Sequence, residues 1–344
     1  MSAHAAAQLD LATVEAWCRD NVEGFEGPIA LHKFSVGQSN PTFRLTTPSG
    51  TYVLRRKPPG TLLKSAHAVD REFRVQKALA DTDVPVARMY ALCEDDSVIG
   101  SMFYIMGCVD GRRFEDPCLP DLPVPDRMAY LDEMCRVLTT VHNVDIDAVG
   151  LSDFGPPGNY YERQIGRWAK QYEASQTSDL PQMDELTQWL QANIPADDGQ
   201  RTLVHGDFRI DNMLFHASEP RVAALLDWEL STIGHPYADL AAVIMQWAMP
   251  PGTESKGMGG VDRKAEGLIS DEAFIARYCE RRGISGIDNF GFYLAFTFFR
   301  MAAIIQGVLK RGLDGNASNP ERALRLGQAV PQFAQAGLDA AKTV

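Results

Sequence analysis

The first third of the chain is built from short apolar runs. IALHKFSV, PTFRLTT and TYVLRR are rich in β-branched and aromatic residues, and GQSN and PSG interrupt them as turns between antiparallel strands do. AVDREFRVQKALA changes period, with Val69, Phe73, Val75 and Leu79 at helical spacing. ARMYALCEDD and SMFYIMG return to strand texture. These segments predict a five-stranded sheet with one helix. Ahead of them, Leu9, Leu11, Val14 and Trp17 mark one side of a short amphipathic helix.

After Gly111 the texture changes. DPCLPDLPVPD reads as a proline-rich connection, and RMAYLDEMCRVLTTVHNV, YYERQIGRWAKQYEAS and MDELTQWLQANI as helices. One small strand pair is expected between 203 and 229, and helices dominate from Tyr237 onward. MPPGTESKGMGGVDRKAEG interrupts them, and its glycine and proline content predicts a mobile loop. The expected organisation is α+β: a sheet-rich lobe over 1–107, a larger helical lobe over 108–344, and a ligand cleft between them. FGFYLAFTFFRMAAIIQGVL is long enough to span a membrane, but Arg300 sits in its middle, where lipid makes a charge costly. It is expected to be a buried core helix.

Composition narrows the partners. Across 344 residues the hydrophobic share is 45% and the charged share 23%, as in soluble globular proteins. The net charge of −12 argues against a nucleic-acid-binding face and a basic membrane-surface protein. The six cysteines form no C-x-x-C pair, and the first twenty residues lack a signal peptide's basic start and long apolar run. A cytoplasmic protein with reduced thiols is expected.

The chemistry gathers in LVHGDFRIDNMLF, where His205 to Asn212 read H-G-D-x-x-x-D-N. A metal site, a hydrolase and a phosphotransferase could all use such residues. NMLFHASEPRVAALLDWE reads as a hairpin turning at Ser218, Glu219 and Pro220, which returns Asp227 to the open end beside Asn212. A carboxylate and an amide oxygen are hard ligands of the kind Mg2+ prefers. A zinc site on His205, Asp207 and His216 lacks a cysteine cluster or H-E-x-x-H, and a serine hydrolase lacks the G-x-S-x-G elbow.

The arrangement resembles protein-kinase-like phosphotransferases, in particular the aminoglycoside phosphotransferase family with its H-G-D-x-x-x-x-N loop. The resemblance implies a two-lobed kinase-like fold that uses ATP and Mg2+. It makes Asp207 the catalytic base, and Asn212 and Asp227 the Mg2+ ligands. Arg209, where protein kinases often carry a lysine, would stabilise the γ-phosphoryl group. Arg55 in YVLRRKPPG stands for the phosphate-binding lysine, with Lys57 a rival on the same strand face, and Glu72 is its helix partner. VGQSNPTF is a thin glycine loop in which Ser39 and backbone N–H groups would approach phosphate. In YIMGCVDG the Gly107 carbonyl and Val109 N–H would pair with adenine. His205 would brace the loop. Asp239 in GHPYADLA would support it, with His235 replacing the family's first aspartate. No role is assigned to Asp211.

YVLRRKPPG, SAHAVDREFRV, HGDFRIDN and FFRMAAIIQGVLKR look closer still to kinase-like domains fused to some acyl-CoA dehydrogenases. That implies a small-molecule hydroxyl substrate, a hydroxyacyl-CoA phosphorylated on its acyl hydroxyl. Arg112, Arg113, Arg281, Arg282, Lys310 and Arg311 then become candidates to meet CoA phosphates. Trp247 in QWAMPPG and the aromatic helix suggest an apolar substrate pocket. Arg300 needs an anion, a protein carboxylate first and a substrate group second. Two other readings stand beside this one: an aminoglycoside kinase, suited by the acidic balance, and a nucleotide-binding protein without turnover, suggested by Arg55 and the thin glycine loop. Oligomeric state is not specified by the sequence.

Overall fold

Strand period decides the smaller of two units. The computed structural model describes residues 9–34, 40–58, 68–252, 256–317 and 319–344. Leu11–Asn21 (α1) is capped by Asp10, whose carboxylate accepts from the Ala12 and Thr13 N–H groups. Ala30–Lys33 (β1), Thr42–Thr47 (β2), Gly50–Arg56 (β3), Met89–Cys93 (β4) and Phe103–Gly107 (β5) form one antiparallel sheet in the order β1-β2-β3-β5-β4, and Val69–Ala78 (α2) lies between β3 and β4 in sequence. The predicted five strands and two helices are all there.

Alternation along β3 and β5 sends side chains to opposite faces. Leu54 stands across from Ile105, and both are buried with Phe103, Val14 and Cys18 in a core shared with α1. Trp17 of α1 meets the Phe103 ring edge-on at 4.8 Å. The next pair in register, Arg55 and Tyr104, points to the other face, where Tyr104 packs with Val69 and Phe73 of α2.

Four short strands follow. Thr202–Val204 (β6) pairs with Thr232–Gly234 (β9), and Met213–Phe215 (β7) pairs with Val222–Leu225 (β8). The β7–β8 hairpin is the expected one. The β6–β9 pair is an addition, because three-residue strands carry too few positions to show a period. The sheet-bearing unit comprises Met1–Phe114, Asp147–Leu151 and Asp211–Ser231, so it includes the hairpin. Within it the Leu225 N–H donates to the Pro85 carbonyl, and Phe215 exchanges hydrogen bonds with Arg112.

The second unit holds Val124–His142 (α3), Tyr160–Ser175 (α4), Pro181–Ala192 (α5), Tyr237–Ala248 (α6), Asp271–Arg282 (α7), Phe290–Leu313 (α8), Pro320–Gly327 (α9) and Val330–Ala341 (α10). α8 is the apolar run with a central arginine. It packs against α4, α5, α6, α9 and α10, and 67% of its most apolar window is buried. A helix that is apolar nearly all round needs neighbours on every side. Gly291 lets α10 approach, since a Cβ there would lie 2.6 Å from the Ala340 carbonyl oxygen. In the loop after α6, Met258 is buried, and Gly257 and Gly259 pack against the backbone of Met249.

Candidate functional site

Within the sheet-bearing unit, a cavity of about 420 Å³ is lined by Arg55, Glu72, Tyr104, Gly107, Val109, Asp211, Asn212 and Asp227. Its charged centre follows from the strand register. Arg55 and Tyr104 share a face of the sheet, and both reach Glu72 on α2. Arg55 Nε lies 2.7 Å from Glu72 Oε2, and the Tyr104 hydroxyl donates to the same oxygen at 3.0 Å. Asn40 Nδ2 donates to Oε1 at 2.7 Å. Glu72 is 1% exposed, and these contacts surround its carboxylate. Burial pushes the Glu72 carboxyl up from its ordinary range against the opposing pull of Arg55. Burial also works against the Arg55 charge, but Glu72 and Asp227 help hold the guanidinium above its ordinary range.

Arg55 also reaches the hairpin. Its Nη2 lies 2.9 Å from Asp227 Oδ1 and 3.7 Å from Glu229 Oε2. Asp227 adopts the left-handed region at φ 65°, and the buried Trp228 behind it donates from Nε1 to the Leu225 carbonyl. The Leu226 N–H donates to the Asn212 carbonyl at 2.8 Å, so Asn212 and Asp227 flank the hairpin's open end, as the antiparallel reading expects. Asp211 is buried, and its carbonyl oxygen accepts from Arg113 Nε at 2.6 Å. Lys57 lies 3.7 Å from Asp70 and is absent from the cavity lining, so Arg55 is the cation brought to Glu72. Val109, on the cavity wall, has no hydrogen bond from its N–H to the described residues. Ser39 lies outside the described residues.

The second group belongs to the helical unit. β6 leads into His205, Gly206 and Asp207, and the Asp239 carboxylate at the start of α6 holds the turn. The His205 N–H donates to Asp239 Oδ2 at 2.7 Å, and the Gly206 N–H to Oδ1 at 2.9 Å. Gly206 sits at φ 85°, where a side chain would be strained. His205 is fully buried, and its Nδ1 accepts from the Asp207 N–H at 3.3 Å. Arg209 Nε stands 3.9 Å from Asp207 Oδ1, and both side chains are about one-third exposed.

Asp239 has a partner that the sequence did not disclose. His142 Nε2 lies 3.3 Å from Asp239 Oδ2, and His142 Nδ1 lies 2.8 Å from the Tyr278 hydroxyl. Burial pulls the His142 pKa down, which favours neutral imidazole. The Nε2–H tautomer then donates to Asp239 while Nδ1 accepts from Tyr278. Burial opposes ionisation of Asp239, but His142, His205 and the Gly206 N–H outweigh it and hold the carboxyl below its ordinary range. Nothing in TTVHNV marks His142. Tyr104, by contrast, could have been found from its place opposite Arg55.

One substrate expectation, Trp247, and one partner expectation, a protein carboxylate for Arg300, need correction. Trp247 is 1% exposed and packs edge-on to Phe274 at 4.8 Å, so it is a core residue of an apolar helix and offers no ligand surface. Arg300 is half-buried, yet no carboxylate among the described residues stands at ion-pair distance; it lies over the Trp168 ring instead. Of the cations expected to meet CoA phosphates, Arg281 is held by Asp132 and Lys310 by Asp314, and Arg282 donates to the His142 carbonyl. Among the described residues no cluster of three or more His, Cys, Asp or Glu side chains forms a metal cage.

A family model described as the phosphotransferase enzyme family, APH, matches residues 30–286. The chain is 47% identical over 294 residues to acyl-CoA dehydrogenase family member 10 of Mus musculus, covering 85% of this chain and 27% of that protein. It is 41% identical over 340 residues to acyl-CoA dehydrogenase family member 11 of Homo sapiens, covering 97% and 43%. The chain thus spans less than half the length of these curated relatives. A crystal structure from Ralstonia eutropha, provisionally described as an aminoglycoside phosphotransferase, superposes with a TM-score of 0.90 at 48% identity over 98% of this chain and 99% of that one. Spectinomycin phosphotransferase, solved with ADP and spectinomycin, shares the fold at a TM-score of 0.62 and 11% identity, over 96% and 99%.

Proposed function

The chain belongs to the APH phosphotransferase enzyme family, whose reaction transfers phosphate to a hydroxyl group, and from that premise we propose that it phosphorylates the acyl hydroxyl of a hydroxyacyl-CoA with ATP and Mg2+. The observation that carries the substrate is the relationship to proteins named as acyl-CoA dehydrogenase family members, at 41–47% identity over 85–97% of this chain. The kinase chemistry rests on the two groups of residues described above.

In this reading the 420 Å³ cavity takes the nucleotide, a size within the usual range for ligand pockets. The Gly107 carbonyl and the Val109 N–H meet adenine. Arg55, fixed by Glu72, Asn40 and Tyr104, contacts the phosphates as a planar fork. Asn212 and Asp227 line the cavity and offer an amide oxygen and a carboxylate, a set that fits Mg2+, which takes few protein ligands and completes its shell with phosphate and water. Held by Asn212 and Asp227, Mg2+ would supply neutralisation of the charge developing on the phosphates. Asp207, part-exposed at the end of its loop, accepts the substrate hydroxyl's proton. Arg209 stabilises the phosphoryl group in flight. Asp239 acts through the loop, holding the His205 and Gly206 N–H groups and so the position of Asp207.

The test is ATP consumption with Mg2+ across a panel of hydroxyacyl-CoAs and aminoglycosides, with the phosphorylated product identified by mass spectrometry and Asp207→Asn as control. Turnover of hydroxyacyl-CoAs is expected. Turnover of aminoglycosides alone overturns the substrate, and nucleotide binding with no turnover of any member overturns the kinase.

A further inference from the structure

The arginines of this chain that lie partly buried mostly face carboxylates. Arg55 meets Glu72 and Asp227, Arg127 meets Glu266, Arg263 meets Asp271, and Arg277 and Arg281 share Asp132. Arg300, near the middle of α8, breaks that pattern. Its guanidinium carbon lies 5.8 Å from the centroid of the Trp168 indole on α4. Arg167, the neighbour of that tryptophan, places its own guanidinium carbon 5.3 Å from the same centroid. Two cations therefore lie over one buried indole, and neither has a carboxylate or a hydrogen-bond acceptor among the described residues. The indole's own polar edge is occupied, since Trp168 Nε1 donates to Gln164 Oε1 at 3.1 Å.

A third arginine stands one helical turn earlier. Arg163 donates from Nη1 to the carbonyls of Pro157 and Gly158. Tyr160 registers all three charges. Burial pushes its hydroxyl up from the ordinary range and Asp239 adds to that, while Arg300, Arg163 and Arg167 pull it down. With 45 acidic side chains against 33 basic ones, a group of arginines without a facing carboxylate is against the chain's own balance. Cations without a facing carboxylate are open to pairing with an anion from outside the chain. A guanidinium over an aromatic face keeps its N–H edge free for bidentate contact with phosphate.

We propose that Arg300 and Arg167, both over the Trp168 ring, form an anion site on the helical unit that binds the phosphate groups of the CoA moiety. The assignment rests on the acyl-CoA reading above. It is distinct from the nucleotide cavity, which is lined by residues of the sheet-bearing unit. It also replaces Arg281, Arg282 and Lys310 as the phosphate contacts, since those side chains already have protein partners.

The test is calorimetric titration of the full chain with CoA in the absence of ATP, comparing the parent protein with Arg300→Ala, Arg300→Lys and Arg167→Ala. Arg300→Ala is expected to weaken CoA binding about ten- to hundredfold, the usual range for losing a hydrogen bond to a charged group. Arg300→Lys falls between, and Arg167→Ala weakens binding in the same direction. In turnover, KM for the hydroxyacyl-CoA rises with the same ranking, while KM for ATP and KM for the matching hydroxyacyl-pantetheine, which has no phosphates, stay put. If Arg300→Ala does not fold, Arg167, which is exposed, carries the test alone. Parent-like CoA binding by the alanine variants overturns the site while leaving the hydroxyacyl-CoA reading standing. Equal losses with CoA and pantetheine thioesters overturn the phosphate assignment. A parent protein that neither binds CoA nor turns over any hydroxyacyl-CoA overturns both.

Discussion

Arg55 Nη2 lies 2.9 Å from Oδ1 of Asp227, a residue 172 positions further along the chain. The same guanidinium is held by Glu72 on its other side. Replacing Arg55 with alanine leaves Glu72, at 1% exposure, facing only the neutral donors Asn40 and Tyr104. Unfolding free energy in urea should drop by about 3–5 kcal/mol, the usual cost of stripping one partner from a buried ion pair. The Asp227 arm adds little, because that carboxylate is about one-third exposed and screened by solvent. Arg55→Lys keeps the charge and should lose less. Equal losses for the two variants would show that the charge is not what stabilises Glu72.

Asp207→Asn should reduce turnover by about 10²–10⁴-fold, the range for losing a positioned general base. The substitution removes the proton acceptor without changing side-chain size, so nucleotide binding should persist. An unchanged rate would remove Asp207 from the role of base.

Asp239→Asn converts one of the two oxygens facing the His205 and Gly206 N–H groups into a donor. Two hydrogen bonds to a buried charge are weakened at once, and stability should fall by about 2–3 kcal/mol. Because Asp239 acts on the position of Asp207, kcat should drop while KM for ATP is nearly preserved. A parallel rise in KM for ATP would point to a wider collapse of the unit.

Burial pulls the pKa values of His142 and His235 below the ordinary value of a histidine. As pH falls through about 6.5, the unfolded chain takes up protons that the folded chain refuses. Stability should therefore be level above neutrality and decline steadily toward pH 5. The lowered Asp239 carboxyl adds a further loss only below about pH 4, where the unfolded carboxylate begins to protonate. His142→Gln, which keeps a donor for Asp239, should make the decline between pH 7 and 5 shallower. Denaturation midpoints measured across that range decide the matter, and a slope identical to the parent's would rule out His142 as a source.

Much of this could be read in advance where the physics is local. Strand period put Arg55 and Lys57 on one face, and turn residues at 218–220 returned Asp227 to Asn212. What was missed depends on which elements meet. Trp247 looked available because QWAMPPG and the aromatic helix suggested an apolar pocket, but α6 is buried over most of its surface. His142 looked like any polar end of an amphipathic helix, and only packing against α6 and α7 brings it to Asp239 and Tyr278. Arg300 was expected to find a carboxylate, and only the side-chain geometry shows an indole there instead.

The sheet-bearing unit is assembled from three separate stretches, Met1–Phe114, Asp147–Leu151 and Asp211–Ser231. Residues 1–114 are therefore not a detachable cassette. Severed at that point, the fragment would lack Asp227, the far partner of Arg55, and the Leu225 N–H that donates to Pro85. The same threading constrains exchange by recombination: the smaller unit cannot be inherited or transplanted as one contiguous segment.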